Sequence, residues 1–289
     1  MRLQRFSYLD PRYDVARTRG GGRRGTVLPP VTGYTTAELS INLVRPVPAQ
    51  GRLVARGRRV HAGRRLGLSE VHVTDDAGRL IAHGTSRCVI FPPAADVPAP
   101  GPPGDETSPE NEAEAGWAPP YTRAVQGSVL AQEVFDQRGG LDVVRGLIDG
   151  DLPLPPASYL LGARPIGAEE GSCTFSMPAS PWFISPLGSI EGGVIACLAD
   201  FSLGAAMHTT LPPGTTVAPT DLRAQFIRPV PADGRQVTAR AGVVHRGRSL
   251  VAARAEVLNE EGKLLALASA SGLVLAGRRA DLASAAPLG

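Results

Sequence analysis

The sequence predicts an α+β protein: a long antiparallel sheet wrapped around a central helix, built in tandem, with the helix missing from the first repeat. Three features predict it. One is a long apolar stretch, SIEGGVIACLADFSLGAAMH, from Ser189 to His208. Another is a series of evenly spaced segments with strand periodicity, separated by short glycine turns. The third is that two blocks of these segments are copies of each other.

The stretch from Ser189 to His208 is apolar on nearly all sides. Ile190, Val194, Ile195, Leu198, Phe201 and Leu203 are large, and Gly192, Gly193, Ala196, Ala199, Gly204, Ala205 and Ala206 are small. A helix apolar all round belongs in a core. At 1.5 Å per residue it spans roughly 30 Å, the width of a small domain. Asp200 sits in its middle. A carboxylate there needs a partner, a shifted pKa or a chemical role.

Before it, residues 26–91 read as strands. Leu39, Ile41 and Leu43 alternate with Ser40 and Asn42, a period of two. Leu53 to Val60, Leu66 to Val73 and Leu80 to Ile90 follow, separated by turns at Gly51, His61-Ala62-Gly63 and Asp75-Asp76-Ala77-Gly78. Residues 121–150 carry helical spacing, which Pro153, Pro155 and Pro156 end. Ser158 to Ile166 and Ser172 to Met177 read as two strands around Gly171. After the helix, Val217 to Ile227, Gln236 to Val244, Leu250 to Leu258 and Leu264 to Leu275 read as strands.

The repeat joins these blocks. TVLPPVTGYTTAELSINLVRPVPAQGR, from Thr26, matches TTLPPGTTVAPTDLRAQFIRPVPADGR, from Thr209. Further on, VHAGRRL matches VHRGRSL, and DDAGRLIAHGTS matches NEEGKLLALASA. The second copy follows the long helix. The first follows residues 1–25, an arm with seven arginines and Gly20-Gly21-Gly22 that shows no period. The expected organisation is therefore an Arg-rich disordered arm (1–25), a partial repeat 1 (26–91), a Pro-rich acidic linker (92–120), a complete repeat 2 (121–277) and a tail (278–289).

Composition excludes several classes. The net charge of +3 over 289 residues does not indicate a nucleic-acid binder. All basic residues but Lys263 and the histidines are arginine, so the basic balance says little about partners. Cys88, Cys173 and Cys197 lack metal-ligand spacing, and none of the five histidines forms a ligand pattern, so no metal site is expected. The N-terminus lacks the apolar core of a secretory signal, and Asp200 interrupts the best candidate for a membrane span. The expectation is a cytoplasmic protein with reduced thiols.

SPLGSIEGGVIACLAD resembles the motif of the PaaI-like acyl-CoA thioesterases, usually Asn-Pro-x-Gly-x-x-His-Gly-Gly with an Asp seven residues after the second Gly. One helix wrapped by a long antiparallel sheet is the hotdog arrangement of that family. Repeat 2 covers its domain in full, and repeat 1 covers only the C-terminal strands. The resemblance implies an acyl-CoA thioesterase in which Asp200 is base or nucleophile. The amides of Gly192 and Gly193 would form the oxyanion hole, as free amides at a helix start can. The family Asn is here Ser185, and the family His is Glu191. Pro219 stands where relatives often carry a hydroxyl; in repeat 1 that position is Thr36.

Spacing adds a constraint. Gly193 and Asp200 share a face but lie roughly 10 Å apart along the axis. One helix therefore cannot bring both to one carbonyl, whereas two antiparallel helices can. The family's sites form between paired subunits, so a homodimer or higher oligomer through the repeat 2 helix is the expected partner. Coenzyme A enters as part of the substrate, with no other cofactor. Its phosphates suit arginine, and the hairpins His245-Arg246-Gly247-Arg248 and Arg64-Arg65 are the candidates. Two other readings stand beside hydrolysis. One is a non-catalytic acyl-CoA-binding or scaffold protein. The other is a hydratase or dehydratase, which needs a histidine beside the acid; His208 lies about 12 Å further along the axis.

Overall fold

The computed structural model describes residues 33–47, 52–91, 124–185 and 188–276. The Arg-rich arm, the residues from Thr26 to Thr32, the turn at Gly51, the linker of 92–120 and the tail from 277 lie outside the described residues.

Repeat 1 contributes β1 (Tyr34–Leu43), β2 (Val54–Ala62), β3 (Leu66–Thr74) and β4 (Leu80–Ile90). Among the described residues it contributes no helix. Repeat 2 opens with three short helices, α1 (Gln132–Gln137), α2 (Gly140–Asp149) and α3 (Pro156–Leu161). The strands β5 (Arg164–Glu169) and β6 (Ser172–Pro178) follow, then the central helix α4 (Gly192–His208). The chain ends with β7 (Thr215–Phe226), β8 (Gln236–Arg246), β9 (Leu250–Leu258) and β10 (Leu264–Ala276). All ten strands form one antiparallel sheet in the order β2-β3-β4-β1-β7-β10-β9-β8-β6-β5.

The duplication reaches the backbone. β1 bulges at Ala37 and β7 at Thr220, equivalent positions in the alignment. β2 and β8 are irregular before His61 and His245 respectively. The turns Asp75–Gly78 and Asn259–Gly262 each close with a glycine N–H donating to the first carbonyl at 3.0 Å, and both glycines have positive φ. The seam between the repeats is β1 against β7. Ser40 pairs with Arg223, its own equivalent in the second copy. Leu39 pairs with Ala224 while Ile41 pairs with Leu222, so the contacts are reciprocal. Such self-complementary pairing is what a two-fold interface requires. Within one chain it makes a pseudo-dimer.

The core lies almost entirely in repeat 2. α4 presses Leu198, Leu203 and Ala206, all fully buried, onto the concave face of the sheet. That face is lined with Ala239, Ala241, Ala253, Ala255, Ala266, Ala268 and Ala270. Small residues let the helix sit close, and this is the hotdog arrangement. The one polar residue sealed in the contact is Ser202, whose hydroxyl lies 2.8 Å from the Cys173 carbonyl and 2.9 Å from that of Ala239.

Three expectations are corrected. α4 starts at Gly192 rather than Ser189, because the chain entering it is pinned as extended backbone. Ile190 N–H donates to the Val230 carbonyl at 2.9 Å, and Ser189 bridges to Pro231. Ser158 to Ile166 is not one strand. Pro156 starts α3 from its first turn, a position proline suits, and Gly162 ends it in the left-handed region at φ 66°. Only then does β5 begin. The helix expected over 121–150 starts at Gln132 among the described residues and breaks at Arg138 and Gly139.

That break is forced by packing. A Cβ on Gly140 would stand 1.7 Å from the His208 carbonyl oxygen, so only glycine fits where α2 starts against the end of α4. Gly204, by contrast, has open space where its Cβ would go. Gly140→Ala is expected to lower stability by about 1–3 kcal/mol or more, as overpacking does. Gly204→Ala is expected to raise it by about 0.5–1 kcal/mol, the usual glycine penalty inside a helix. Chemical denaturation of both variants checks the contrast.

Candidate functional site

Spacing of four, three and four residues puts Gly193, Cys197, Asp200 and Gly204 on one face of α4. The neighbouring faces are sealed: Ile195, Leu198, Ala199, Ser202 and Leu203 are all buried. This strip is not. Gly193 is exposed, the other three are half-buried, and a Cβ on either glycine would meet nothing within 4 Å. The described residues therefore leave one face of the core helix uncovered, with its carboxylate on it.

Among the described residues nothing donates a hydrogen bond to that carboxylate or forms an ion pair with it. Burial holds Asp200 above the usual carboxylate range. One turn away, burial and then the Asp200 charge push the Cys197 thiol up, so this thiol is a poor nucleophile. A buried acid without donors is a stronger base than an exposed one and readier to take a proton near neutrality.

The amide end is built differently. Glu191 precedes the helix; its N–H donates to the Phe183 carbonyl at 2.9 Å, and its own carbonyl accepts from Val194 N–H at 3.0 Å. The amides of Gly192 and Gly193 come first in the helix, where no intrahelical acceptor exists. The two glycines differ. A Cβ on Gly192 would lie 3.1 Å from the Phe226 ring, so that position is packed shut. Gly193 is open. Ser185 is buried in the preceding turn, its N–H donating to the Ser189 carbonyl at 2.7 Å and its carbonyl accepting from Gly188 N–H at 2.8 Å.

Asp200 and the two glycines lie on one continuous helix, with the separation the spacing requires. A second chain cannot pair along β7, because β1 already occupies that edge. It could reach α4 only over the open strip.

The arginine hairpins are not brought together. His245, Arg246 and Arg248 are exposed around Gly247 in the β8–β9 turn, and Arg64 and Arg65 are exposed in the β2–β3 turn. Five strand spacings separate β3 from β9 in the sheet, roughly 24 Å. They are two separate basic tips. No histidine joins Asp200. His72 and His83 pack with their rings tilted by 56° and centroids 4.9 Å apart on the convex face of repeat 1. His208 packs edge-on against Phe135 at 5.8 Å, and its Nε2 is buried without a partner. Among the described residues no group of His, Cys, Asp or Glu could hold a metal ion.

Tyr34 escaped sequence reasoning. It opens β1 opposite Ile90, on the concave face of repeat 1. Its hydroxyl is held above its ordinary pKa by burial first, then by Cys88 and by Glu191, which places it by the entry to α4. Beside it, Thr36 Oγ1 and Ser86 Oγ lie 3.9 and 3.8 Å from Cys88 Sγ. The equivalents in repeat 2 are Val217 for Tyr34, Pro219 for Thr36, Ala270 for Ser86 and Gly272 for Cys88. That systematic change between copies was the available signal.

Two pH effects of opposite sign follow. For Asp200 the folded value lies above the ordinary 3.8. Between the two the folded state binds more protons, so stability falls as pH rises through that window, and the penalty is complete above it. Asp200→Asn is expected to unfold at a higher temperature than wild type at pH 7, the difference vanishing below about pH 3.8. An Asn variant less stable at pH 7 would reveal a stabilising contact to the carboxylate. For His208, burial lowers the folded value below 6.5. Here the unfolded state binds more protons in the window, so stability is fully present above pH 6.5 and declines on acidification below it. His208→Gln is expected to flatten that decline in melting temperature measured against pH.

Both repeats match a known family. A family model described as Thioesterase superfamily matches residues 12–82 and 187–266, one segment per repeat and together more than half of the chain. Over 89 residues, 31% of the chain, the sequence is 34% identical to a candidate esterase of Haemophilus influenzae; the match spans 63% of that relative's length. Among solved structures, a thioesterase from Haemophilus influenzae is 23% identical, covering 55% of this chain and 99% of that one, with a TM-score of 0.41. The PaaI protein from the phenylacetic acid degradation operon of E. coli is 25% identical, covering 43% and 86%, with a TM-score of 0.40. A thioesterase family protein from Silicibacter pomeroyi is 25% identical, covering 48% and 100%, with a TM-score of 0.43.

Proposed function

The chain belongs to the thioesterase superfamily, and on that premise we propose that it hydrolyses the thioester of an acyl-coenzyme A, with Asp200 as the base. The observation that carries the proposal is the half-buried carboxylate that, among the described residues, has no partner and lies on the open strip of the core helix. Asp200 takes a proton from water as the oxygen bonds to the thioester carbonyl carbon. The oxyanion formed is held by backbone amides at a helix start, those of Gly192 and Gly193. The intermediate collapses, the carbon–sulfur bond breaks, and the proton on Asp200 passes to the departing thiolate. The products are a carboxylic acid and free coenzyme A. The alternative role for Asp200 is direct attack on the carbonyl carbon, giving an anhydride that water then opens.

The amides serving one Asp200 must come from another helix, since those of its own helix start roughly 10 Å away. We assign them to a second copy of this chain, approaching over the open strip. Ser185 and Glu191 hold the turn that presents the amide end. The phosphates of coenzyme A go to one of the two basic tips, Arg246 and Arg248 beside His245 and Gly247, or Arg64 and Arg65. No cofactor is required.

A second reading is favoured by one observation: α4 is the only such helix among the described residues. The chain would then bind acyl-coenzyme A without turning it over. Thiol release from a panel of acyl-coenzyme A esters separates the two. Hydrolysis is expected, with specific activity rising with protein concentration and falling by about 10²-fold or more in Asp200→Asn. Saturable binding without thiol release would establish the carrier reading instead. Turnover unchanged in Asp200→Asn would remove this mechanism.

A further inference from the structure

β8 and β2 are equivalent strands, but their outer edges differ. β8 carries β6 along Gln236–Gly242, and β5 continues the sheet beyond it. Among the described residues β2 carries nothing, and the described sheet stops there. Its residues beyond Val54 are all exposed. An edge strand presents alternate backbone N–H and C=O groups to whatever approaches. The edge is also cationic. Arg56 and Arg58 lie on the convex face, opposite His72 and Glu70, and Arg59 lies on the concave face, opposite Ser69. Arg58 is paired with Glu70, whereas Arg56 and Arg59 have no ion-pair partner among the described residues.

We propose that the β2 edge is a docking site for an extended acidic peptide segment of a partner protein, added to the sheet as an eleventh strand. The backbone supplies the affinity, as in other cases of strand addition, and the free arginines supply the choice of sign. The equivalent pairing of β6 on β8 runs from Ser172 to Pro178, so a segment of about seven residues, roughly 23 Å, fits the edge. A second copy of this chain is a poor occupant. Antiparallel pairing of β2 with β2 centred on Gly57 would set Arg56 against Arg58, and centred on Arg58 would set Arg58 against its own copy; like charges directly opposite destabilise a sheet. Isolated anions could satisfy the arginines but not the row of backbone groups. This site is independent of hydrolysis at Asp200.

The test is fluorescence anisotropy with the full chain and a labelled heptapeptide of alternating glutamate and valine, capped at both ends. Two further peptides carry N-methyl groups on alternate residues, one on the odd positions and one on the even. Saturable binding is expected, weakened at least tenfold by one methylation pattern and not by the other. R56E/R59E, with both changes on exposed side chains, is expected to weaken it at least fivefold with the melting temperature unchanged. Absence of saturable binding overturns the proposal. So does equal binding of both methylated peptides, insensitivity to the double substitution, or binding matched by an oligonucleotide of the same charge.

Discussion

Among the described residues, repeat 1 is a sheet with no second layer packed on it. A domain needs two packed layers around an apolar core, and among the described residues this half supplies one. Its buried side chains are few: Ile81, Ala82 and Ile90, with Asp75 at a turn. What keeps it in place is the β1–β7 seam, from Glu38–Gln225 to Asn42–Asp221. Through that seam β7, which is held from below by α4, becomes the support for four more strands. The partial burial of Leu39 against the repeat 2 core is the apolar part of the same contact. Among the described residues, one long helix thus serves both halves of a single ten-stranded sheet.

The packing of α4 explains why Asp200 is half-buried. In repeat 2 the helix covers its own sheet with Leu198, Leu203 and Ala206 and leaves Gly193, Cys197, Asp200 and Gly204 facing away. A carboxylate on that face loses hydration without gaining donors, so it is held in a state that folding alone would not select. Such local cost is tolerated where surrounding packing is strong, and the alanine-lined contact beneath α4 is buried throughout. The two glycines on either side keep the strip shallow, so the carboxylate is recessed rather than hidden.

Much of this was legible in the sequence because it rests on local signals. The alternation of Leu39, Ile41 and Leu43, the glycine turns and the matched blocks from Thr26 and Thr209 fix strand boundaries to within a few residues. The apolar run fixes the helix and its acid. Other features depend on partners distant in sequence. Ser189 and Ile190 look helical in isolation but are claimed by Pro231 and Val230. Ser158 to Leu161 has a strand-like composition, but a proline at the first turn and a glycine at the end make it a short helix. Tyr34 carries no motif. Its position by Glu191 arises only when β1 and β7 pair.

The two concave faces record the same asymmetry in their side chains. Where α4 lies on repeat 2, a Cβ on Gly272 would stand 2.4 Å from Val217 Cγ2, and no larger residue is accommodated. The equivalent position in repeat 1 is Cys88, with Ser86 and Ser69 in place of Ala270 and Ala253. Side-chain volumes remain small, as a close-packed helix would need, but the lining has become polar and half-accessible. Repeat 1 thus keeps the dimensions of a floor for a helix and gains the chemistry of a wettable surface. The described residues supply sheet for two units and a carboxylate and an amide end for one. Any reaction drawing those two groups from different helices therefore depends on what approaches the open strip as much as on Asp200 upon it.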